Sequence, residues 1–370
     1  MLGLKGSFLV TPTTLTCAFW QDDEMDQFIH FERTEPADHD LGRLWEIDAV
    51  VEGIEAGRTS FAQGASEVER LSLAPGHYSW VVNAVSWVVI GSSFGALLSN
   101  NALDVIAAAV LSLLIFALAG CGKYLPRLNP IQAILAPFLS GILATCAAAA
   151  GIEINVPFVV LSSVVIYIPG LALTVALSEI ASRDLISGTS RLVDAVMLLL
   201  KIIFGAVLGM SVARMWWSIP PSASDVILAM PAWKTWPAVM GLSFGLSIAF
   251  NIPWRKSLWG LGSGALAFAV AAAGESHFDM VGGMFVGALA VGLYSNLFAR
   301  VTKAPASVLV TQGIVLLVPG SKTYMILNSW VSGQDIVPGS PGFSQALMIF
   351  VALVVGLLFA NALLPPNKSL

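Results

Sequence analysis

Two hydrophobic runs of the sequence each contain a Pro-Gly pair, and these pairs are the first residues whose type and spacing could form a functional site. Pro169 and Gly170 lie in "VVIYIPGLALTVALSE", and Pro319 and Gly320 lie in "IVLLVPGSKTYMILNS". Proline removes a backbone donor and kinks or ends a helix. A helix that is broken inside a membrane frees backbone groups that can bind a solute or an ion. The two pairs therefore predict a site for a small polar solute.

Ionisable side chains inside the hydrophobic runs are the second kind of candidate, because a charge in a bilayer is costly and is functional by default. Lys201 lies about midway along its run, and Asp194 lies seven residues earlier on the same helical face. Lys201 could bind the carboxylate of a solute or balance the charge of an acid that carries protons. The alternative is a purely structural role, in which Lys201 lines a hydrated interior or forms an ion pair. The other candidates for the solute pathway are Glu179, Asp184, Arg191, Gln312 and Lys322.

Each of these candidates also has a structural alternative. Glu179 and Arg183 are four residues apart and can form an ion pair on an interfacial helix. Gln312 can hold two helices together by a hydrogen bond, and Lys322 can be a solvated loop residue. Four acidic residues fall at predicted outer ends of membrane spans, where we expect them to be solvated: Asp104, Glu153, Glu275 and Asp279.

Other kinds of site have little support in the sequence. The three cysteines form no CxxC pair and the four histidines are scattered, so neither a disulfide framework nor a metal site is expected. The stretch "GSSFG", residues 91–95, fits the G-x-S-x-G pattern of serine hydrolases. That pattern requires a strand-to-helix turn, whereas this copy lies in a hydrophobic helix and is typical of close helix packing. No cofactor is expected, and the net charge of −5 argues against nucleic acid as a partner.

The elements that must position these residues are predicted to be membrane helices. Hydrophobic residues make up 56% of the 370 residues and charged residues 11%, against about 25% charged in an ordinary globular domain. From residue 80 onward, about ten hydrophobic segments approach the roughly 20 residues that a bilayer requires. They run over residues 80–98, 103–121, 131–150, 155–177, 193–215, 236–251, 257–275, 280–299, 304–327 and 343–363.

The distribution of lysine and arginine orients these segments. With the N-terminal region in the cytoplasm, most of the basic loop residues fall on the inner side, as the positive-inside rule requires. The rule fits ten spans with both termini in the cytoplasm. We therefore expect a multi-pass protein of the plasma (inner) membrane, embedded in lipid.

The first 78 residues have a more polar composition and predict a small cytoplasmic α+β domain. A strand and a turn are predicted over "MLGLKGSFLVTPTTLTCAFW" and the acidic "QDDEMD" that follows it, and a second strand is predicted in "QFIHFERT". Two amphipathic helical patterns follow, with Asp40 and Thr59 as the predicted N-caps. The predicted domains are thus the soluble region over 1–78 and two membrane halves over 79–217 and 236–364.

The two membrane halves are predicted to be copies of one repeat. The Pro-Gly pairs are 150 residues apart, and "GSSFG" at 91–95 returns as "GLSFG" at 241–245 with the same offset. Each half has about five spans, so the second copy must enter the membrane with inverted topology. Inverted repeats with helices broken at corresponding positions are typical of secondary transporters.

At these motifs the sequence resembles the threonine/serine exporter family. The stretch "IYIPGLALTVALSEIASRDLISGTSRLVDAV" resembles the first half of the family, and "LVPGSKTYMILNSWVSGQ" resembles the partner half, which some bacteria encode as a separate chain. The N-terminal region is also similar to that of the family. The matching residues in the first half are Pro169, Gly170, Asp184, Leu185, Ser187, Gly188 and Arg191.

The chain departs from the family pattern at two places. Family members usually begin with a further helix, so we expect the soluble domain of this chain to be truncated. In the second half, Ser321 and Lys322 occupy positions where small apolar residues or glycine are expected, which bears on substrate identity.

The resemblance implies a secondary exporter of threonine and serine that works by proton antiport and is not an enzyme. A dicarboxylate such as succinate is the second substrate class, and a passive channel and a membrane-anchored hydrolase are alternatives from other classes. The sequence has no G-x-x-x-x-G-K-[ST] motif, so ATP is not expected to drive transport within this chain. The expected partners are a small amino acid or organic acid, a proton and membrane lipid. The sequence leaves open whether the chain forms a homo-oligomer.

Overall fold

A computed structural model describes residues 5–11, 13–20, 28–33, 40–122, 124–216, 232–254, 256–317 and 343–366. These residues are mostly helical, with one three-stranded sheet near the N-terminus. A mainly helical fold with a small α+β region is therefore confirmed.

The N-terminal sheet is an antiparallel meander of β1 (Lys5–Thr11), β2 (Thr14–Trp20) and β3 (Phe28–Arg33). β1 and β2 form a hairpin that closes at the pair Thr11 and Thr14, so the segment predicted as one strand and a turn holds two strands. The alternating β-branched and aromatic residues of both strands suit a pleated sheet. The hairpin was missed because only two residues separate β1 from β2 within a nearly continuous strand-like run.

Two helices follow the sheet, and their starts are fixed by side-chain caps. α1 (Leu41–Glu55) is capped by Asp40, whose side chain accepts from the Arg43 amide at 2.9 Å. α2 (Phe61–Leu73) is capped by Ser60, which forms a capping box with Gln63. The predicted cap at Asp40 is thus confirmed, whereas the one at Thr59 is wrong by one residue, because Gln63 stands at the third helical position counted from Ser60.

The first membrane half contains six helices. A short 3-10 helix, Pro126–Ile131, leads into the third of them. The helices are α3 (Trp80–Leu98), α4 (Ala102–Cys121), α5 (Gln132–Ala149), α6 (Val156–Ser163), α7 (Gly170–Ala181) and α8 (Leu185–Trp216).

The second membrane half contains five helices among the described residues. They are α9 (Ala232–Ala249), α10 (Ser257–His277), α11 (Met280–Thr302), α12 (Ser307–Leu317) and α13 (Phe343–Leu363).

Six helices of the described chain are long and apolar enough to cross a membrane, and α6 with α7 makes a seventh if the bent pair is one span. The ten predicted segments all contain helix. However, α12 has 11 residues and the apolar part of α13 spans 347–363, and neither these two nor α9 pass as full spans over the described residues. A multi-pass membrane protein is supported, and the count of ten spans stays a prediction.

The two halves pack by the same scheme. α5 lies along α8 and α11 lies along α13, while α6 contacts α4 and α5 as α12 contacts α10 and α11. Glycines allow the closest approaches: a Cβ on Gly205 would overlap the Ile134 carbonyl, and one on Gly356 would lie 2.6 Å from the Phe285 carbonyl oxygen. Gly356 follows Gly205 by 151 residues, and Phe285 follows Ile134 by the same number, so the two contacts occupy equivalent positions in the two halves.

The two G-x-S-F-G motifs pack the halves against each other. α3 crosses α9, where a Cβ on Gly241 would overlap the Ser93 hydroxyl and one on Gly245 would lie 2.6 Å from Ile90 Cγ1. Small residues at these positions let two helix backbones approach closely. The interpretation of "GSSFG" as a packing motif rather than a hydrolase turn is confirmed, since the motif lies within α3.

The N-terminal helices are docked on the loop between α9 and α10. The Leu41 amide donates to the Phe250 carbonyl at 3.0 Å, and the Tyr78 hydroxyl donates to the Ile252 carbonyl at 2.5 Å. The Asn251 side chain donates to Asp40 at 3.3 Å. Leu41 and Ile252 are buried together with Val308 at the start of α12.

Trp45 is the aromatic centre of this docking surface. Its ring meets that of Phe298 edge-on, with centroids 5.3 Å apart, and the Lys256 ammonium lies 3.5 Å from its centre. Burial lowers the pKa of Lys256, and the nearby Glu46 carboxylate opposes that shift. The contact is therefore a partly desolvated cation–π pair.

Candidate functional site

The helix break predicted at Pro169 is present between α6 and α7. α6 ends at Ser163, a 3-10 turn covers Val165–Tyr167, and α7 begins at Gly170. The two helical parts are bent by 56°. Pro169 is the N-cap of α7, and both it and Gly170 are buried. The break forms there because Pro169 has no amide hydrogen with which to continue the helix.

A narrow cleft lies at this break, between the 3-10 turn and helices α3 and α4. It is lined by apolar side chains and by the hydroxyls of Ser112 and Ser163, and it is too tight for a water molecule. Ser163 shares a hydrogen bond of 2.9 Å with Ser140 on α5. The Ser112 hydroxyl is buried and has no partner among the described residues. The structure is therefore closed at the break but holds a free polar group there.

Tyr167 lies next to the cleft and has a second unpaired hydroxyl. Its ring lies 5.9 Å from that of Trp87, and its buried hydroxyl has no partner within the described chain. Sequence analysis missed Ser112, Ser163 and Tyr167 because none carries a charge at neutral pH. Their signal is weak: small hydroxyl residues in an apolar run are usually helix-packing residues.

Gln312 forms a polar centre in the second half. Its side chain is fully buried on α12 and donates to the Ser243 carbonyl at 2.9 Å and to the Ser247 hydroxyl. The amide oxygen of Gln312 and the hydroxyl of Ser243 have no partner in the described part of the chain. Such a buried acceptor is costly unless something pairs with it. Gln312 therefore holds helices together and keeps one hydrogen-bonding site open.

The charged residues beyond Pro169 form a compact cluster at the α7–α8 turn. Arg191 contacts both carboxylate oxygens of Glu179, at 3.2 Å through Nη2 and 3.3 Å through Nε. Ser187 also donates to Glu179, at 2.9 Å. The Asp184 carboxylate accepts from the Ser187 amide at 3.4 Å, as expected at the start of α8.

The i,i+4 ion pair suggested for Glu179 and Arg183 does not form. Arg183 is exposed and has a positive φ of 68° at the turn between the two helices. The chain therefore leaves the helix at Arg183, and Glu179 pairs across the turn with Arg191 instead.

Lys201 and Asp194 lie on the outward face of α8. Asp194 is exposed and Lys201 is partly exposed, and neither forms an ion pair within the described residues. Their neighbours on this face include the exposed side chains of Met197 and Phe204. The opposite face of α8, which includes the buried Ala206 and Met210, packs on α5 at Gly141. The structure does not bring Lys201 to the cleft, and its part in transport stays a prediction.

The remaining predicted site residues belong to the second Pro-Gly motif. Pro319, Gly320 and Lys322 lie outside the residues that the structure describes.

Asp104 is buried, contrary to the expectation that it is solvated. Only 1% of its surface is exposed. Its carboxylate accepts from Ser99 Oγ at 2.5 Å and from the Asn155 amide at 2.7 Å. Asn155 is the N-cap of α6, so Asp104 ties the start of α4 to the start of the broken span.

Comparison with known proteins identifies the family to which the chain is similar. A family model described as "Putative threonine/serine exporter" matches residues 1–213, and one described as "Threonine/Serine exporter, ThrE" matches 238–363. A threonine/serine exporter of Corynebacterium glutamicum is 22% identical over 335 residues, covering 88% of this chain and 67% of that protein. A probable threonine/serine exporter of Mycobacterium tuberculosis is 25% identical over 343 residues, covering 89% and 64%. The chain thus spans about two thirds of the length of these relatives. No solved structure matches it.

Proposed function

Since this chain belongs to the threonine/serine exporter family, we propose that it carries threonine and serine out of the cell by antiport with protons. The observation that carries the proposal is the broken span: α6 and α7 are bent by 56° around a cleft that contains an unpaired buried hydroxyl on Ser112. A hydroxylated amino acid offers the donors and acceptors that such groups lack.

In this mechanism the solute occupies the break between α6 and α7 when the cleft opens. Pro169 and Gly170 keep backbone groups of the turn out of the helical hydrogen-bond ladder. Ser112 and Ser163 bind the solute hydroxyl or ammonium group. Because the cleft is closed in this structure, a movement of α7 against α3 and α4 has to precede binding.

The second half contributes through the corresponding span. Gln312 carries an unpaired amide oxygen there, and Pro319, Gly320 and Lys322 are proposed to continue the pathway beyond α12. The common packing scheme of the two halves supports an inverted repeat of two five-helix units. We further propose that both termini face the cytoplasm, which the basic loop residues support.

The proposal is tested by replacing Pro169 with leucine. Leucine restores the amide donor, so α6 and α7 can join and the solute loses its backbone contacts. We expect Pro169→Leu to insert normally but to lower threonine counterflow in proteoliposomes at least tenfold. A matched control is Pro137→Leu, since Pro137 lies inside α5 without breaking it.

Three outcomes would change the proposal. Normal counterflow by well-folded Pro169→Leu would reduce the break to a packing kink and remove the proposed site. Counterflow of succinate but not of threonine in the unaltered protein would favour the dicarboxylate class. Flux that is independent of a pH gradient would contradict proton antiport.

A further inference from the structure

A second, polar cavity of about 200 Å³ lies between the two N-terminal helices and the segment that leads to α3. Its charged lining residues come from the start of α1, the end of α2 and the segment before α3: Asp40, Arg43, Glu46, Arg70 and His77. Pockets for drug-sized ligands have roughly 300–1,000 Å³. The cavity therefore fits only a small molecule, and its lining has charges of both signs.

Arg43 supplies hydrogen-bond donors that the protein leaves free. Its Nη1 donates to the Ser72 carbonyl at 3.0 Å and its Nη2 to the Ala74 carbonyl at 2.8 Å, while Nε lies 3.5 Å from Asp40. Each Nη of a guanidinium carries two N–H groups. One N–H on each Nη therefore remains for a ligand carboxylate, and the guanidinium is already held in place.

Arg70 adds a second cationic group on the opposite helix. Its Nε and Nη2 bind Glu67 at 2.8 and 2.5 Å. The hydrogen bond from Arg70 lowers the pKa of Glu67, so this pair persists at neutral pH. Within the described chain, Nη1 of Arg70 has no partner and is available to an anion.

Glu46 supplies the complementary negative charge. Its Oε1 lies 3.4 Å from His77 Nε2, and its Oε2 has no hydrogen bond among the described residues. The Asp40 carboxylate lies six residues earlier, at the N-cap of α1, and accepts from Asn251 at 3.3 Å. An ammonium group placed near Glu46 would find a free charged acceptor.

We propose that this cavity binds a free α-amino acid, with its carboxylate on Arg43 and Arg70 and its ammonium group on Glu46. The small volume, the free N–H groups and the free carboxylate oxygen together match a zwitterion and not a simple anion or cation. The choice of threonine as the ligand rests on the proposed function.

The position of the cavity gives this binding a regulatory meaning. Asp40 also binds Asn251 in the α9–α10 loop, and Glu46 lies near Lys256 at the start of α10. An amino acid in the cavity therefore contacts the residues that dock the N-terminal helices on the second half. No residue of the cleft at Pro169 is shared, so this site is distinct from the proposed transport site.

Protection of an introduced cysteine tests the proposal on the full-length protein. Pro75→Cys places a thiol on the exposed rim of the cavity in a background where Cys17, Cys121 and Cys146 are replaced by alanine. We expect threonine to slow maleimide labelling of this thiol. N-acetylthreonine lacks the ammonium group and threonine methyl ester lacks the carboxylate, so both should give at least tenfold weaker protection. Sodium chloride at the same concentration should give none.

Substitutions in the lining separate this site from the transport site. Glu46→Gln and Arg70→Gln should each raise the half-protecting threonine concentration at least tenfold. Arg58→Gln, an exposed arginine of the same region, and Pro169→Leu should leave it unchanged. The proposal would be overturned by an absence of protection by threonine, or by protection from the ester or the acetyl derivative that equals protection from threonine. Unchanged protection in both Glu46→Gln and Arg70→Gln would also overturn it.

Efflux measured on the same preparations distinguishes the two proposals. Protection without threonine efflux would contradict only the transport proposal. Efflux without protection would contradict only the binding site in the cavity.

Discussion

At the residue scale, an ion pair and a hydrogen bond fix the position of Glu179 beyond the helix break. The Glu179 carboxylate receives two nitrogen contacts from Arg191 and one hydrogen bond from Ser187. A two-point contact of this kind fixes both distance and orientation. Because Glu179 belongs to α7 and Arg191 to α8, the contact sets how far the second part of the broken span can swing.

We expect Arg191→Gln to loosen this connection. The pair is partly exposed, so its loss should lower the free energy of unfolding by only about 1 kcal/mol. Transport should change more, since α7 must keep its position to shape the cleft. Threonine counterflow and thermal unfolding in detergent measure the two effects.

Arg183→Gln is the matched control, because Arg183 lies in the same turn and does not pair with Glu179. Equal loss of counterflow in both variants would show that general basic charge, and not the Glu179 contact, matters at this turn.

A site residue could be predicted from the sequence only where its effect depends on its own type and its immediate neighbours. Pro169 breaks its helix through its own ring, so its sequence position is enough. The burial of Asp104 depends on Asn155, 51 residues away, whose amide meets its carboxylate when two loops come together. An acidic residue at the end of an apolar run predicts solvation, and nothing local reveals that contact.

At the level of helices, close backbone contact determines which segments pack. α5 lies along α8, where a Cβ on Gly209 would lie 2.9 Å from the Phe138 carbonyl carbon and one on Gly141 would lie 2.8 Å from the Ala206 carbonyl oxygen. Gly205 and Gly209 have the four-residue spacing of a packing face, and both lie at this contact. The partner helix could not be predicted, because glycine spacing identifies a face of one helix and contains no information about the helix that packs on it.

Gly209→Ala should therefore separate α5 and α8. Overpacking a close contact costs about 1–3 kcal/mol, so we expect a lower unfolding temperature and a lower yield of folded protein. Gly120→Ala is the control: its added Cβ would have no neighbour closer than 4.0 Å, and alanine favours a helix. If both variants unfold at the same temperature as the unaltered protein, the α5–α8 contact is looser than described.

On the scale of the whole molecule, the N-terminal region and the second membrane half are joined by a mixed surface. Backbone hydrogen bonds from Leu41 and a small apolar cluster with Ile252 and Val308 lie beside the ring of Trp45. The composition of the chain predicts a separate polar region, but not this connection. Docking depends on side chains of α1 and on the α9–α10 loop and α11, both of which follow α1 by more than 190 residues.

Trp45→Ala should undock the N-terminal helices without unfolding the membrane halves. The substitution removes the contact of the indole with Phe298 and the cation–π contact with Lys256. A fully buried tryptophan costs about 3–5 kcal/mol when it is replaced by alanine. Trp45 is only partly buried, so we expect a cost of about 2 kcal/mol, which corresponds to a roughly thirtyfold change in an equilibrium constant.

Hydrogen exchange measures this opening at a defined place. The Leu41 amide donates to Phe250 across the docking surface, so its exchange rate reports the docked fraction. We expect exchange over residues 41–46 to rise about thirtyfold in Trp45→Ala, with α5 and α8 unchanged. Phe61→Ala, which removes an aromatic ring that is 62% exposed on α2, should leave these rates as they are. Unchanged exchange in Trp45→Ala would mean that the backbone and apolar contacts of Leu41 hold the N-terminal helices in place without the indole.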